Sequence, residues 1–116
     1  MEIKVSNEDA FYVISIDGDL DASSSILLDN TLKEAVAHME RKILVDCNCL
    51  NYISSAGLGV FMSYLQEFEN SHTSLILFGV TEKIRDVFQI LGLDQLLTIV
   101  FSKEEAKLIV VNEPLL

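Results

Sequence analysis

The spacing of apolar residues in the first half of the chain predicts a hairpin, a helix and a buried strand. Two apolar runs between Ile3 and Asp19 are separated by the turn-forming residues "SNEDA", which favours a β-hairpin whose second strand Gly18 breaks. Serines 23–25 can cap a first helix, whose inward face is expected to comprise Leu28, Leu32, Ala35, Val36 and Met39. The run "KILVDC" is typical of a strand buried on both faces.

The second half repeats this alternation of helix and strand. A helix is predicted to begin near Ser55, with an apolar stripe formed by Leu58, Phe61, Met62, Leu65 and Phe68. The strand "SLILFG" follows, and Thr81 can cap a third helix that faces inward through Ile84, Val87, Phe88 and Leu91. Gly92 before Leu93 is typical of a helix end in the left-handed conformation. The strand "LLTIVF" and the helix "SKEEAKLIVV", capped by Ser102, complete the pattern.

The resulting order is β-β-α-β-α-β-α-β-α, which predicts one α/β domain over residues 1–116. Strands that alternate with single helices pair in parallel through right-handed crossovers, and the opening hairpin adds an antiparallel strand. We therefore expect a compact fold with a mixed, mostly parallel sheet and about four helices. A chain of 116 residues is close to the commonest domain size.

Charge and hydropathy narrow the classes of partner. The formal net charge is −10, which opposes binding to nucleic acids and anionic membranes and favours partners with basic patches, although the charge can equally serve solubility. The apolar runs are far shorter than the roughly 20 residues of a membrane span, and the first residues do not resemble a signal peptide. A cytoplasmic protein without membrane insertion is expected.

The sequence contains few residue patterns that are typical of catalytic or metal-binding sites. Cys47 and Cys49 form a C-x-C pair without a second pair, so we interpret both as mostly buried apolar residues. A serine nucleophile needs a neighbouring base, but His38 and His72 fall near the ends of the first two helices, at the edge of the sheet opposite Ser55. The sequence predicts no enzyme, no metal and no cofactor.

The segment "NYISSAGLGV", residues 51–60, is the most informative part of the chain. It places Ser54 and Ser55 at a strand-to-helix turn, where open α/β sheets hold their functional sites and where free backbone N–H groups favour negative charge. A phosphate on Ser55 would be tolerated there and would change the surface that a partner meets. Ordinary helix capping by either serine explains the same pattern.

The second helix also predicts a small surface beside this turn. Val60 points about 140° away from the centre of the apolar stripe, if each residue turns the helix by about 100°. Gly59 and Ser63 share the outward side, and Tyr64 lies at its margin. This side suits docking of a partner, although a lone exposed Val60 is also ordinary.

The segment "ILVDCNCLNYISSAGLGVF" resembles the signature of the anti-sigma factor antagonists, the single-domain members of the STAS family. Asp46 matches the acid at the strand end, Leu50 and Ile53 match the apolar loop positions, and Gly57 and Leu58 match the Gly-Leu pair. The segment "IDGDLDASSS" resembles the family's motif before the first helix. The resemblance covers nearly the whole chain.

The resemblance implies a binding protein instead of an enzyme. Family members bind an anti-sigma factor that is also a serine kinase, which frees a sigma factor; phosphorylation of one serine releases the antagonist, and a metal-dependent serine phosphatase resets it. Alignment on Gly57 places the phosphoacceptor on Ser55, with Ser54 as second choice. The implied partner-binding residues are Gly18, Asp19, Leu20, Asp21, Ser54, Gly57, Gly59, Val60, Ser63 and Tyr64.

Two departures from the family pattern affect the predicted site. Ser54 stands where many members have Asp, and Ala56 stands where many have Ser or Thr. The first removes a fixed charge and leaves a competing hydroxyl beside Ser55. Residues 18–21 can alternatively form a simple turn before the first helix. The alternative function is a STAS scaffold subunit of a sensory or transport complex, without phosphorylation.

Overall fold

The structure is a computed structural model that describes residues 1–112. Its elements follow the predicted order, and the last four residues of the predicted domain lie outside the described ones. The elements are β1 (Glu2–Glu8), β2 (Phe11–Leu20), α1 (Ser25–Ala37), β3 (Lys42–Ile53), α2 (Ser55–Asn70), β4 (Ser74–Phe78), α3 (Glu82–Ile90), a short 3-10 helix (Leu93–Gln95), β5 (Thr98–Val100) and α4 (Lys103–Asn112).

The five strands form one sheet in the order β1-β2-β3-β4-β5. β1 pairs with β2 in the antiparallel sense, and the other neighbours pair in parallel, so the predicted mixed α/β fold is confirmed. Asp9 and Ala10 form the hairpin turn, and both adopt positive φ angles, 53° and 70°. Two residues with positive φ match the right-handed twist of the flanking strands, so this turn can be very short.

Helices cover both faces of the sheet. The larger core lies beneath α1, α2 and α3 and contains Leu28, Phe61 and Phe88 as fully buried side chains. A smaller core lies beneath α4, where Ala106 and Val110 pack against the opposite face. The central strands are therefore apolar on both sides, as the continuous run in β3 predicted. No helix among residues 1–112 is long and apolar enough to cross a membrane.

Four local predictions are wrong. β2 continues through Gly18 to Leu20, because glycine with a φ of 106° lets the strand bulge while its pairing to β3 resumes. Met39 follows the end of α1 and is exposed, and Leu91 caps the end of α3 and is also exposed, so neither side chain joins the core. Cys49 is exposed, whereas Cys47 is buried as predicted.

Candidate functional site

The candidate site lies where β3 ends and α2 begins. β2 and β3 run in parallel, and their register places Leu20 beside Ile53. The backbone N–H of Ser54 donates to the carbonyl oxygen of Leu20 over 2.9 Å. The loop after β2 and the start of α2 are therefore held together at the carboxyl edge of the sheet, where open α/β folds present their sites.

The two adjacent serines have different roles in the structure. Ser54 is the N-cap of α2, and its hydroxyl oxygen accepts a hydrogen bond from the Gly57 N–H over 3.1 Å. Ser55 is the first helical residue and is exposed, and its hydroxyl makes no hydrogen bond within residues 1–112. Only Ser55 thus offers a free hydroxyl at the positive end of the helix.

Among the described residues, neither histidine is placed to act as the base that a serine nucleophile at position 55 would need. His38 caps the C-terminal end of α1, and His72 follows the C-terminal end of α2. α2 has 16 residues and is therefore about 24 Å long, so His72 is far from Ser55. Within the described part of the chain, no cluster of three or more His, Cys, Asp or Glu could hold a metal ion. The geometry makes Ser55 a group that another protein can modify.

Asp21 organises the loop that borders Ser54. Its carboxylate oxygen accepts from the Ser24 N–H over 2.9 Å, and the Ser24 hydroxyl oxygen in turn accepts from the Asp21 N–H over 2.9 Å. The Ser24 amide, followed by the hydroxyls of Ser24 and Ser23, lowers the pKa of Asp21 to about 2. The N-cap of α1 is Ser24, one of the three serines predicted to cap it, but its side chain makes no capping hydrogen bond to the first turn. Asp21 is exposed and carries a permanent charge at neutral pH.

Leu20 and Gly57, two of the predicted partner-binding residues, are buried. The Leu20 side chain is fully buried, and a β-carbon built on Gly57 would lie 2.9 Å from Cδ2 of Leu20 and 3.1 Å from Cγ1 of Ile53. A hydrogen atom at position 57 therefore lets the start of α2 lie directly on the core. Both residues shape the site through packing instead of contact.

Alanine at the two glycines of α2 should have opposite effects on stability. Gly57→Ala is expected to lower the free energy of unfolding by roughly 1–2 kcal/mol, because the added methyl group overlaps the packed Leu20. At Gly59 a β-carbon meets nothing within 4 Å, so Gly59→Ala should raise it by up to about 1 kcal/mol through helix propensity. Chemical denaturation of both variants measures the difference, and equal effects would contradict the close approach of α2 to Leu20.

Tyr64 is also buried, so the expectation that it lies at the exposed margin of α2 is wrong. Its hydroxyl donates to the Asp29 carboxylate over 2.7 Å, and its ring packs into the core. The Tyr64 hydroxyl and then Lys33 lower the pKa of Asp29. The hydrogen bond between Tyr64 and Asp29 thus links α2 to the neighbouring helix α1.

The same helix pair changes the environment of Val60. Val60 is half-buried and packs against the core, although its position on an isolated helix predicted full exposure. Gly59 and Ser63 remain exposed, as predicted. The outward surface of α2 is therefore narrower than predicted.

The segments that build the site are acidic and contain no cationic side chain. Segments 5–32 and 43–82 contain no lysine or arginine, and they include β2, most of β3 and all of α2. Asp17, Asp19 and Asp21 are exposed along the end of β2 and the following loop. A protein that binds here meets negative charge on one side of Ser55 and a small, open helix surface on the other.

Comparison with known proteins identifies the family to which this fold and site belong. A family model described as Mlab, STAS domain, matches residues 3–99, which include all five strands except the first residue of β1 and the last residue of β5, and all three helices of the larger core. The chain belongs to the STAS domain family. The family resemblance seen in the sequence is thereby confirmed.

Individual relatives of this STAS domain are regulatory proteins by name. The anti-sigma-B factor antagonist of Staphylococcus aureus (strain NCTC 8325 / PS 47) is 29% identical over 97 residues, which cover 84% of this chain and 90% of the relative. The crystal structure of an anti-sigma factor antagonist from Mycobacterium paratuberculosis matches with a TM-score of 0.86 at 17% identity, covering 96% of this chain and 94% of the other.

A further solved structure is that of a modified protein. The Bacillus cell fate determinant SpoIIAA, in its phosphorylated form, matches this STAS domain with a TM-score of 0.71 at 22% identity, covering 94% of this chain and 99% of the other. The two structural likenesses extend over almost the whole length of each chain. They show that the fold of the solved proteins and of this chain is the same.

Proposed function

We propose that this STAS domain is an anti-sigma factor antagonist: it binds an anti-sigma factor, frees a sigma factor, and is released when Ser55 is phosphorylated. The names of the relatives support the first part, and the phosphorylated form of one structural neighbour supports the second. The protein acts in the cytoplasm through binding and catalyses no reaction. It needs no cofactor, and its charge of −10 opposes direct contact with nucleic acid.

The observation that carries this proposal is the difference in hydrogen bonding between Ser54 and Ser55. The Ser54 hydroxyl is engaged as the cap of α2, whereas the Ser55 hydroxyl is exposed and makes no hydrogen bond among the described residues. A kinase can therefore reach Ser55 without breaking the start of the helix. The partner is a serine kinase as well as an anti-sigma factor, and a serine phosphatase removes the phosphate again.

The phosphate transfer itself explains the release. The Ser55 oxygen forms a bond to the γ-phosphorus of ATP, the bond from that phosphorus to the β,γ-bridging oxygen breaks, and the hydroxyl proton passes to a base of the kinase. The product carries about −1.5 to −2 charge beside the phosphates of ADP. Repulsion and the added bulk weaken the complex, while the helix N-terminus stabilises the phosphate within this chain.

Phosphorylation in vitro tests the proposal. Incubation with the cognate serine kinase and with ATP should add one phosphate, which tandem mass spectrometry should locate on Ser55. Ser55→Ala should incorporate none. Ser54→Ala removes the cap, which costs about 1 kcal/mol of stability, but should still incorporate one phosphate.

Two results would contradict this assignment. A phosphate on Ser54 in the unmodified sequence, with Ser55→Ala still accepting it, would show that the free hydroxyl is not the acceptor. No phosphate on either serine, together with unmodified binding to a sensory or transport complex, would support the scaffold function instead.

A further inference from the structure

Ile26 on α1 is more exposed than Tyr52 and Leu27, the other exposed large apolar residues near the site. Ile26 lies in the first turn of α1, and 64% of its surface is accessible. The sequence pattern did not single it out, because the apolar stripe of α1 is formed by other residues. A single exposed apolar side chain is ordinary, so its meaning depends on its neighbours.

The hydrogen bond between Tyr64 and Asp29 places Ile26 relative to α2. α1 follows β2 and α2 follows β3, so the two helices run in the same direction, and the 2.7 Å hydrogen bond brings position 29 beside position 64. Ile26 lies about one turn before Asp29 in α1, and Val60 lies about one turn before Tyr64 in α2. Ile26 is therefore level with Val60 and with the first turns of α2. Ile26 lies about 60° from Asp29 around α1, on the side away from the sheet.

These positions form one continuous surface, which we call the Ile26 patch and define as Ile26, Gly59 and Val60. Gly59 is exposed and leaves open space above the helix, and Val60 is half-buried on the flank that faces α1. Ser55 lies four residues before Gly59, which places both on the same face of α2. The Ile26 patch therefore continues directly from the phosphoacceptor surface.

The charges around the Ile26 patch indicate what can cover it. No lysine or arginine occurs in segments 5–32 and 43–82, and the exposed carboxylates of Asp19 and Asp21 border the loop that leads into α1. An apolar centre beside an acidic rim fits a protein that brings an apolar side chain and basic groups. The kinase that approaches Ser55 must also approach this surface.

We propose that Ile26 is an anchor residue for the anti-sigma factor and is buried, together with Gly59 and Val60, when the complex forms. This inference rests on the proposed function and adds α1 to the docking surface. A few residues that become fully buried near the centre of an interface carry most of its affinity, whereas the contacts around them contribute little. Ile26 should therefore matter for binding, although it contributes little to folding.

Two substitutions of Ile26 and one matched control test the proposal by calorimetric titration against the cognate anti-sigma factor. Ile26→Ala should weaken binding roughly tenfold and Ile26→Glu roughly a hundredfold. Ile90→Glu is the control, because Ile90 is 83% exposed and ends α3, at the opposite edge of the sheet. It makes the same change in charge and should alter the affinity less than about twofold. Thermal unfolding should show all three variants folded, and Ile26→Ala favours the helix.

The outcomes separate this inference from the proposed function. If both Ile26 variants bind like Ile90→Glu while Ser55→Glu binds weakly, Ile26 is not an anchor and the Ser55 switch stands. If the unmodified protein does not bind the anti-sigma factor at all, both the proposed function and the proposed role of Ile26 are wrong. Weak binding by folded Ile26→Ala, with normal binding by Ile90→Glu, supports the anchor.

Discussion

Replacing Phe61 by alanine is expected to lower the free energy of unfolding by about 3–5 kcal/mol. Phe61 is fully buried and points from α2 into the larger core, one and a half turns after Ser55. The free energy of unfolding of a domain of this size is typically about 5–15 kcal/mol, so the variant should lose a large part of it. Phe61→Ala should then bind partners weakly because a larger fraction of it is unfolded. Denaturant titration measures this loss.

The matched control is the same substitution at Phe101. That ring is 71% exposed, and the Arg85 guanidinium lies 4.3 Å from its centroid. Phe101→Ala should cost about 1 kcal/mol or less, because it removes an exposed cation–π contact and opens no cavity. Equal losses at the two positions would show that α2 does not present Phe61 to the core.

Placing a carboxylate at Ser55 is expected to weaken binding to the anti-sigma factor by at least tenfold, without unfolding the domain. Ser55→Glu adds negative charge where the nucleotide phosphates of the kinase must approach, while the same charge is favourable at the N-terminus of α2. Glutamate carries less charge than phosphate, so its effect should be smaller than that of phosphorylation. Calorimetric titration measures the affinity, and thermal unfolding checks the fold.

Ser55→Gln separates charge from bulk in this experiment. Glutamine has nearly the same size as glutamate but no charge, so it should bind more tightly than Ser55→Glu if repulsion contributes to release. If Ser55→Glu and Ser55→Gln both bind as tightly as the unmodified protein, neither charge nor bulk at position 55 causes release.

The sequence predicted the architecture well because each helix and strand can be recognised from the pattern of neighbouring residues. The continuous apolar runs of β3 and β4 and the helical stripe of α2 each fit one kind of element, and alternation of strand and helix favours parallel pairing. Gly92 adopts the predicted left-handed conformation with a φ of 72°, and Ser102 caps α4 through the Glu105 N–H. These features depend on near neighbours in the chain.

The wrong expectations of exposure at the site concern contacts between elements that are distant in sequence. Tyr64 and Val60 sit on the flank of α2 that α1 covers, and a wheel drawn for one helix contains no information about a neighbouring helix. Leu20 is buried because α2 approaches it through Gly57. The pairing of Asp21 with Ser24 is local, and an acid three residues before a serine could have indicated it.

For the candidate site, the sequence located the turn and the family but could not rank the two serines from their pattern. The structure separates them by their hydrogen bonds, since Ser54 is engaged and Ser55 is free among the described residues. Asp19, Gly59 and Ser63 are exposed as a docking surface requires, and Gly18 is partly exposed. Their contact with a partner stays a prediction, as does phosphorylation of Ser55.

The affinity of the fully phosphorylated protein for the cognate anti-sigma factor tests the central claim most directly. The protein is phosphorylated to completion, its modification on Ser55 is verified by mass spectrometry, and it is titrated against the anti-sigma factor in parallel with the unmodified protein. We predict that the phosphate weakens binding by at least roughly a hundredfold and that phosphatase treatment restores the original affinity. Equal affinities of the two forms would contradict a switch at Ser55.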